Sequence, residues 1–160
     1  ITDIGALAAE RVAAWSPTAD AKGVRLSGSC PPTTAWADPV ALSSALDAVI
    51  DNAVKFTPEG RTVEVGVAPS GDTCTVVVTD EGPGLTDEEL TRVGDRFWRS
   101  GRHQNVDGSG LGLSISRALL AAGGGSISFG RHEPHGLRVT VTVPRNGGAA
   151  VPAPQGLTDR

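Results

Sequence analysis

Methionine is absent from the 160-residue chain, and long apolar runs are absent as well. Without an initiating methionine, we expect the chain to be a segment of a longer protein. No run approaches the roughly 18 residues of a membrane-spanning helix, and no signal peptide is recognisable. The hydrophobic fraction of 39% is ordinary for a globular domain with a core of its own.

Runs of basic residues are also missing, and the net charge of −4 disfavours a nucleic-acid surface. Cysteine is scarce, with only Cys30 and Cys74. Neither cysteine has partners at zinc-ligand spacing. We interpret them as buried free thiols of a protein from a reducing compartment.

Apolar periodicity predicts the helices and strands. A first helix is expected from Asp3 to Trp15, ended by Pro17. Paired strands alternating with helices predict an α+β fold, a two-layer sandwich whose sheet is covered on one face by helices. The other expected elements are strands at 24–29 and 33–37, a helix from Asp38 to about Phe56, a hairpin of 62–67 with 73–79, a helix at about 111–122, and a hairpin of 126–130 with 137–143.

Two segments stand outside this pattern. Residues 86–107 are polar, charged and punctuated by glycine, which is typical of a mobile functional lid. Residues 146–160 are rich in Gly, Ala and Pro without periodicity, so we expect a disordered tail. A single domain is thus predicted for residues 1–145.

The helix ending at Phe56 carries polar groups beside its apolar stripe. Asn52 and Phe56 share one edge of the stripe, with Lys55 close by, whereas Asp47 and Asp51 are predicted to face solvent. An amide oxygen suits Mg²⁺, and an ammonium group suits a phosphate. The phenyl ring would serve equally well against a base or as core filler. Such an asparagine alone does not indicate a binding site, but two glycine-rich turns later in the sequence support that interpretation.

The first of these turns, at residues 80–85, follows a strand. Asp80 is either a turn-forming residue or an acceptor for the exocyclic amine of adenine, and Gly82 and Gly84 would let a base lie against the backbone. The second turn, at residues 108–113, opens a helix, where N–H groups and the helix dipole favour phosphate. Together the helix and the two turns predict a site for a nucleoside triphosphate, ATP, with Mg²⁺.

Four segments in order, at residues 51–58, 80–85, 96–99 and 108–113, resemble the N box, the two glycine boxes and the F box of sensor histidine kinases. The resemblance spans roughly residues 1–144. It implies the catalytic and ATP-binding domain of a bacterial two-component sensor kinase, of the GHKL superfamily. The implied architecture is the Bergerat fold, with a mixed five-stranded sheet against three helices and an ATP lid.

The resemblance also implies roles for individual residues. Asn52 would be the Mg²⁺ ligand, Lys55 and Arg99 would contact phosphates, Phe56 would pack on adenine and Asp80 would select its amine. The implied remainder of the nucleotide site is Gly82, Gly84, Gly108, Gly110, Leu111, Gly112 and Leu113.

Three departures from the family are visible. Ala48 stands where many sensor kinases have a second asparagine and where GHKL ATPases have a glutamate that activates water. Poor intrinsic hydrolysis is therefore expected. Gly123 replaces a histidine near the end of the last helix, and Leu137 replaces a threonine that commonly follows the glycine of the last strand; we interpret both as peripheral. The three histidines, His103, His132 and His135, lack the helical context of a phosphoacceptor, and we interpret them as surface residues.

The expected function is that of a protein-histidine kinase domain that transfers the γ-phosphoryl group to a histidine on a separate dimerisation domain of the same kinase, which then acts on a response regulator. The fragment is expected to be monomeric and cytoplasmic, within a homodimeric sensor at the plasma membrane. A serine kinase of the anti-sigma-factor type and an ATP-sensing module without transfer remain the alternatives.

Overall fold

The computed structural model describes residues 1–83, 118, 120–133 and 135–145. Two helices and seven strands are assigned within these residues. In chain order they are β1 (Thr2–Asp3), α1 (Ile4–Lys22), β2 (Arg25–Ser29), β3 (Thr34–Ala35), α2 (Pro39–Phe56), β4 (Thr62–Ser70), β5 (Thr73–Asp80), β6 (Ser126–Arg131) and β7 (Leu137–Pro144).

Five strands form one mixed sheet in the order β2-β4-β5-β7-β6. β2 runs parallel to β4, and the remaining neighbours are antiparallel. β1 and β3 form a separate two-stranded pair. The α+β class, the five-stranded sheet and both predicted hairpins are thereby confirmed.

The core lies between the helices and one face of the sheet. Alternate residues of the central strands, such as Val65, Val76 and Val141, are buried, whereas their neighbours carry mostly hydroxyl or charged groups. The predicted stripe of α2 is buried in full: Leu42, Leu46, Val49, Ile50 and Ala53. This packing fixes which side of α2 meets the sheet, and therefore where its polar edge lies.

Two local signals set the start of α2, at the position where the sequence predicts it. The side chain of Asp38 accepts a hydrogen bond from the N–H of Val40 at 2.9 Å, and Pro39 occupies the first helical position. Of the expected third helix, residues 118 and 120–122 are described and are helical. Its predicted end is confirmed, because the N–H groups of Gly123 and Gly125 both bond to the carbonyl of Leu120.

The predicted end of α1 is wrong. The helix continues through Pro17 to Lys22 and ends at Gly23, which has a left-handed φ of 80°. Proline removes a single backbone donor, and the carbonyl this leaves unpaired belongs to Ala13, an exposed residue that water can reach. The extra turn buries Ala19 completely, which favours continuation of the helix.

The thiols differ in their surroundings. Cys74 is buried in β5, whereas Cys30 is half-buried and follows β2 rather than lying within a strand. Both are free, and burial raises the pKa of each thiol.

Candidate functional site

Asp80 ends β5 as a nearly inaccessible carboxylate, 6% exposed. Its Oδ1 accepts the N–H of Gly82 at 2.9 Å and the N–H of Leu137 at 3.1 Å. Both bonds end on the same oxygen, so neither uses Oδ2. The turn therefore holds the side chain in one orientation while leaving its second oxygen for another donor.

Burial raises the pKa of Asp80, because desolvation penalises the charged carboxylate. Four groups oppose that rise. The two backbone N–H groups stabilise the anion, and so does the positive charge that His132 and His135 can carry. A buried acceptor whose proton affinity is perturbed in this way is typical of a binding site, although structural carboxylates show it too.

Two glycines allow three segments to meet around this carboxylate. A Cβ on Gly82 would lie 2.6 Å from the carbonyl oxygen of Phe56, and a Cβ on Gly136 would lie 1.9 Å from that of Asp80. Only glycine fits either position without a shift of the backbone. The end of α2, the end of β5 and the β6–β7 turn are consequently in direct contact.

His135 belongs to this junction, although the sequence predicted only a surface histidine. The residue is exposed, yet its Nδ1 lies 3.0 Å from the carbonyl oxygen of Gly82. His132, also interpreted as a surface residue, is half-buried, and its Nδ1 is buried without a hydrogen-bond partner among the described atoms. The signal available in the sequence was the position of His135 immediately before Gly136 in a hairpin turn.

Leu137 contributes to this junction through its backbone and not through its side chain. The family's threonine would offer a hydroxyl here, whereas Leu137 acts on Asp80 through its backbone N–H. The departure noted in the sequence therefore leaves a main-chain contact to the carboxylate in place.

Hydrogen bonds from two side chains hold the carbonyl groups at the carboxyl end of α2. The hydroxyl of Thr57, a buried residue, donates to the carbonyl of Ala53 at 2.7 Å. The ammonium of Lys22, on α1, donates to the carbonyls of Val54 (2.6 Å) and Lys55. A cation at this end of a helix also interacts favourably with the helix dipole. These contacts fix the turn of α2 that precedes the candidate site.

Asn52 and Phe56 are both half-buried, one turn apart on α2. Lys55 lies between them in sequence, and its ammonium pairs with Asp51 at 3.2 Å. The side chain of Asp51 is 34% exposed in this i,i+4 pair, in line with the prediction that it faces solvent.

Asp47 keeps 36% of its side chain exposed, in line with the prediction that it faces solvent, but it also contacts α1. Asp47 accepts hydrogen bonds from Arg11 at 3.1 Å and from the indole N–H of Trp15 at 2.9 Å. A helical wheel for α2 does not predict these partners, because it contains α2 alone. The contact ties the two helices together and is not part of the candidate site.

Of the sequence-predicted site residues, Phe56, Asp80 and Gly82 are brought together, with Asn52 and Lys55 on the last two turns of α2. The other predicted site residues lie outside the described residues, as do the predicted lid (86–107) and tail (146–160): Gly84, Arg99, Gly108, Gly110, Leu111, Gly112 and Leu113.

Two further features bear on ligands. Within the described ranges there is no group of three or more His, Cys, Asp or Glu side chains that could hold a metal ion. A cavity of about 360 Å³ lies on the sheet face turned away from the helices, lined by residues such as Ser27, Glu64 and Gly66. It is separate from the junction at Asp80, whose side chain points to the other face.

Among the described residues, no helix is both long and apolar enough to cross a membrane.

Comparison with known proteins yields a consistent set of relatives. Residues 37–147 match the model of the family described as "Histidine kinase-, DNA gyrase B-, and HSP90-like ATPase". The chain is 38% identical over 104 residues to the sensor protein QseC of Escherichia coli (strain K12). The aligned residues make up 65% of this chain and 22% of that protein. The chain thus spans about a fifth of the length of this curated relative.

Solved structures agree with that match. The mycobacterial sensor histidine kinase MprB superposes with a TM-score of 0.78 at 26% identity, covering 89% of this chain and 96% of that one. Full-length ShkA, in complex with AMPPNP, superposes with a TM-score of 0.77 at 32% identity, covering 89% of this chain and 30% of that one.

Proposed function

This chain belongs to the histidine kinase-, DNA gyrase B- and HSP90-like ATPase family, and we propose that it binds Mg·ATP and donates the γ-phosphoryl group to a histidine. The acceptor would lie on a separate dimerisation domain of the same sensor kinase. One observation carries the proposal: a buried carboxylate, Asp80, has one oxygen occupied by backbone N–H groups, beside Gly82 and the end of α2.

That arrangement fits adenine. The exocyclic amine is a donor, and Oδ2 of Asp80 is the oxygen that the two backbone bonds leave for it. Gly82 packs directly on the carbonyl of Phe56, which brings the end of α2 beside the carboxylate, and the ring of Phe56 would pack on the base. The solved ShkA structure contains AMPPNP, an ATP analogue, in a protein of the same fold.

The residues present also suit a magnesium ion. Asn52 offers a neutral amide oxygen, which leaves the charge of the ion for the phosphates, and other positions would be taken by phosphate oxygens and water. Bound there, Mg²⁺ would neutralise charge that develops on the phosphates. Lys55 would then exchange its half-buried pairing with Asp51 for a phosphate.

Transfer needs little covalent chemistry from this chain. An imidazole nitrogen of the acceptor forms the new N–P bond as the bond from the γ-phosphorus to the bridging oxygen breaks, and ADP leaves with that oxygen. Arg99 would stabilise the γ-phosphate, and the turn at residues 108–113, including Gly108, Gly110 and Gly112, would face the phosphates. The contribution of the domain is positioning and electrostatic stabilisation.

Water should be a poor substitute for that acceptor. Within α2, which the structure describes throughout, Ala48 lacks a titratable group, Asp47 is held by Arg11 and Trp15, and Asp51 lies about 100° around the helix from Asn52. None of these is placed to act as a general base towards the γ-phosphate. ATP would therefore be retained until the histidine arrives.

The wider setting follows from the sensor kinases to which the chain is similar. We infer a homodimeric parent at the plasma membrane, with this domain on the cytoplasmic side and monomeric in isolation. The parent would pass its phosphoryl group to a response regulator.

The test combines binding and transfer. Calorimetry of the 160-residue chain with a non-hydrolysable ATP analogue should show magnesium-dependent binding. ATP labelled at the γ-phosphate should then give acid-labile label on a separately produced histidine-bearing dimerisation domain. Binding without label on that domain would favour a nucleotide-sensing module, and no binding at millimolar analogue would refute the proposal.

A further inference from the structure

We propose that His135 is a positioning residue of the nucleotide site, which fixes the Asp80–Gly82 turn so that Asp80 can read the exocyclic amine of adenine. The inference rests on the proposed function and assigns a role to a residue outside the family's sequence boxes.

The hydrogen bond between His135 and Gly82 has only one possible direction. The carbonyl oxygen of Gly82 can only accept, so Nδ1 of His135, 3.0 Å away, carries the hydrogen. The neutral ring must then be the tautomer protonated on Nδ1, and the charged ring keeps the same donor. The bond is therefore available in both protonation states of the imidazole.

Gly82 is consequently held at both of its main-chain groups. Its N–H donates to Oδ1 of Asp80, and its carbonyl accepts from His135. Two residues beyond His135, the N–H of Leu137 donates to the same Oδ1. The three bonds close a ring through Asp80, Gly82 and the β6–β7 turn, so the orientation of the carboxylate is coupled to the imidazole.

Gly136 sets the backbone frame of this turn. Gly136 has a φ of 128° and packs directly on the carbonyl of Asp80, which fixes the distance between the turn and β5. Against that fixed frame, His135 supplies the side-chain contact that restrains Gly82. Loss of the imidazole would leave Gly82 held at its N–H alone and let the carboxylate reorient.

The experiment compares two nucleotides on the 160-residue chain by calorimetry in the presence of Mg²⁺: ATP, and purine riboside triphosphate, which is ATP without its exocyclic amine. His135→Ala should lower the affinity for ATP about fivefold, the effect of losing one restraining hydrogen bond. Affinity for purine riboside triphosphate should change by less than about twofold, because that ligand does not use the oriented carboxylate.

Two variants separate the donor from other properties of the imidazole. His135→Asn places an amide N–H near the position of Nδ1 without a titratable group, so it should restore the preference for ATP. Glu133→Ala, at an exposed residue of the same turn, is the matched control and should leave both affinities unchanged.

Equal weakening of both nucleotides by His135→Ala, or an unchanged ratio of affinities, would overturn the inference. If His135→Ala does not fold, His135→Leu keeps the bulk without a donor and should show the same loss of preference against His135→Asn. Failure of the unaltered chain to bind either nucleotide would instead refute the proposed function itself.

Discussion

The carboxylate of Asp80 accepts the backbone N–H of Leu137 at 3.1 Å, across 57 residues of sequence. The sheet makes this contact possible, because β5 and β7 are antiparallel neighbours in which Thr79 lies opposite Arg138. The end of β5 is thereby placed beside the start of β7. A buried acid is in this way held by a main-chain donor from the far end of the domain.

Asp80→Asn should stabilise the fold at neutral pH while weakening selection of adenine. Burial raises the pKa of Asp80 above the ordinary 3.8, so the folded state binds this proton more tightly than the unfolded state does. This tighter protonation of Asp80 adds to the free energy of unfolding below pH 3.8, and the added stability is lost as the pH rises through the raised pKa. Asparagine stays neutral and can still accept from both N–H groups. We expect a gain of about 0.5–2 kcal/mol at pH 7.

Thermal unfolding of Asp80→Asn and the unaltered chain between about pH 4 and pH 7 measures this effect. The advantage of the variant should grow with pH. An advantage that is constant over this range would show that ionisation of Asp80 does not oppose folding.

Competition between ATP and GTP on the same variant should show a reduced preference for ATP. If the preference survives, adenine is recognised elsewhere.

Gly136→Ala should destabilise the domain by about 2 kcal/mol or more. Its φ of 128° is unfavourable for any residue with a Cβ, and the added atom would lie 1.9 Å from the carbonyl oxygen of Asp80. Backbone must move to accommodate it, so nucleotide affinity should fall as well. Denaturant unfolding and calorimetry measure the two effects.

Gly66→Ala is the matched control for that change. Gly66 lies within β4, and an added Cβ would meet no atom within 4 Å. The free energy of unfolding should stay the same or rise by up to about 1 kcal/mol, because alanine restricts the unfolded chain. Similar losses in both variants would contradict the junction at Asp80.

Asn52→Ala should weaken binding of ATP about tenfold or more when Mg²⁺ is present, because the amide oxygen proposed to hold the ion is lost. Binding measured with excess chelator should change little. Calorimetry with and without Mg²⁺ separates the two cases. Ser44→Ala, at an exposed position of the same helix, is the control, and an equal loss with and without the ion would argue against a role for Asn52 in binding the metal.

Asp47→Ala should lower the free energy of unfolding by about 1–3 kcal/mol, because the indole N–H of Trp15 and the guanidinium of Arg11 lose their acceptor. Asp51→Ala removes only a pair on the helix surface and should cost less than about 0.5 kcal/mol. Chemical denaturation of both variants checks the difference. Comparable costs would mean that the interhelical contact adds no stability beyond that of an exposed pair.

Most of the fold followed from local signals. The alternation in β4, β5 and β7, the apolar stripe of α2 and the Asp38 cap each act over a few residues, so the sequence reveals them directly. Pro17 was misleading because the turn after it is held by contacts with distant parts of the chain, through the buried Ala19 and through Lys22, whose ammonium donates to the carbonyls of Val54 and Lys55. The contacts of Asp47 with α1 were not predicted, because a helical wheel does not show where α1 crosses.

For the candidate site, the sequence proposed Asn52, Phe56, Asp80 and Gly82 from residue type and spacing, and their roles towards a nucleotide stay predictions. Only the tertiary structure decided how Asp80 is oriented and that His135 reaches Gly82. Both contacts span more than 50 residues and exist because the strand order places β5 beside β7. The type of each residue can be read directly from the sequence, whereas the distance between residues far apart in the chain depends on how the strands pair in the sheet.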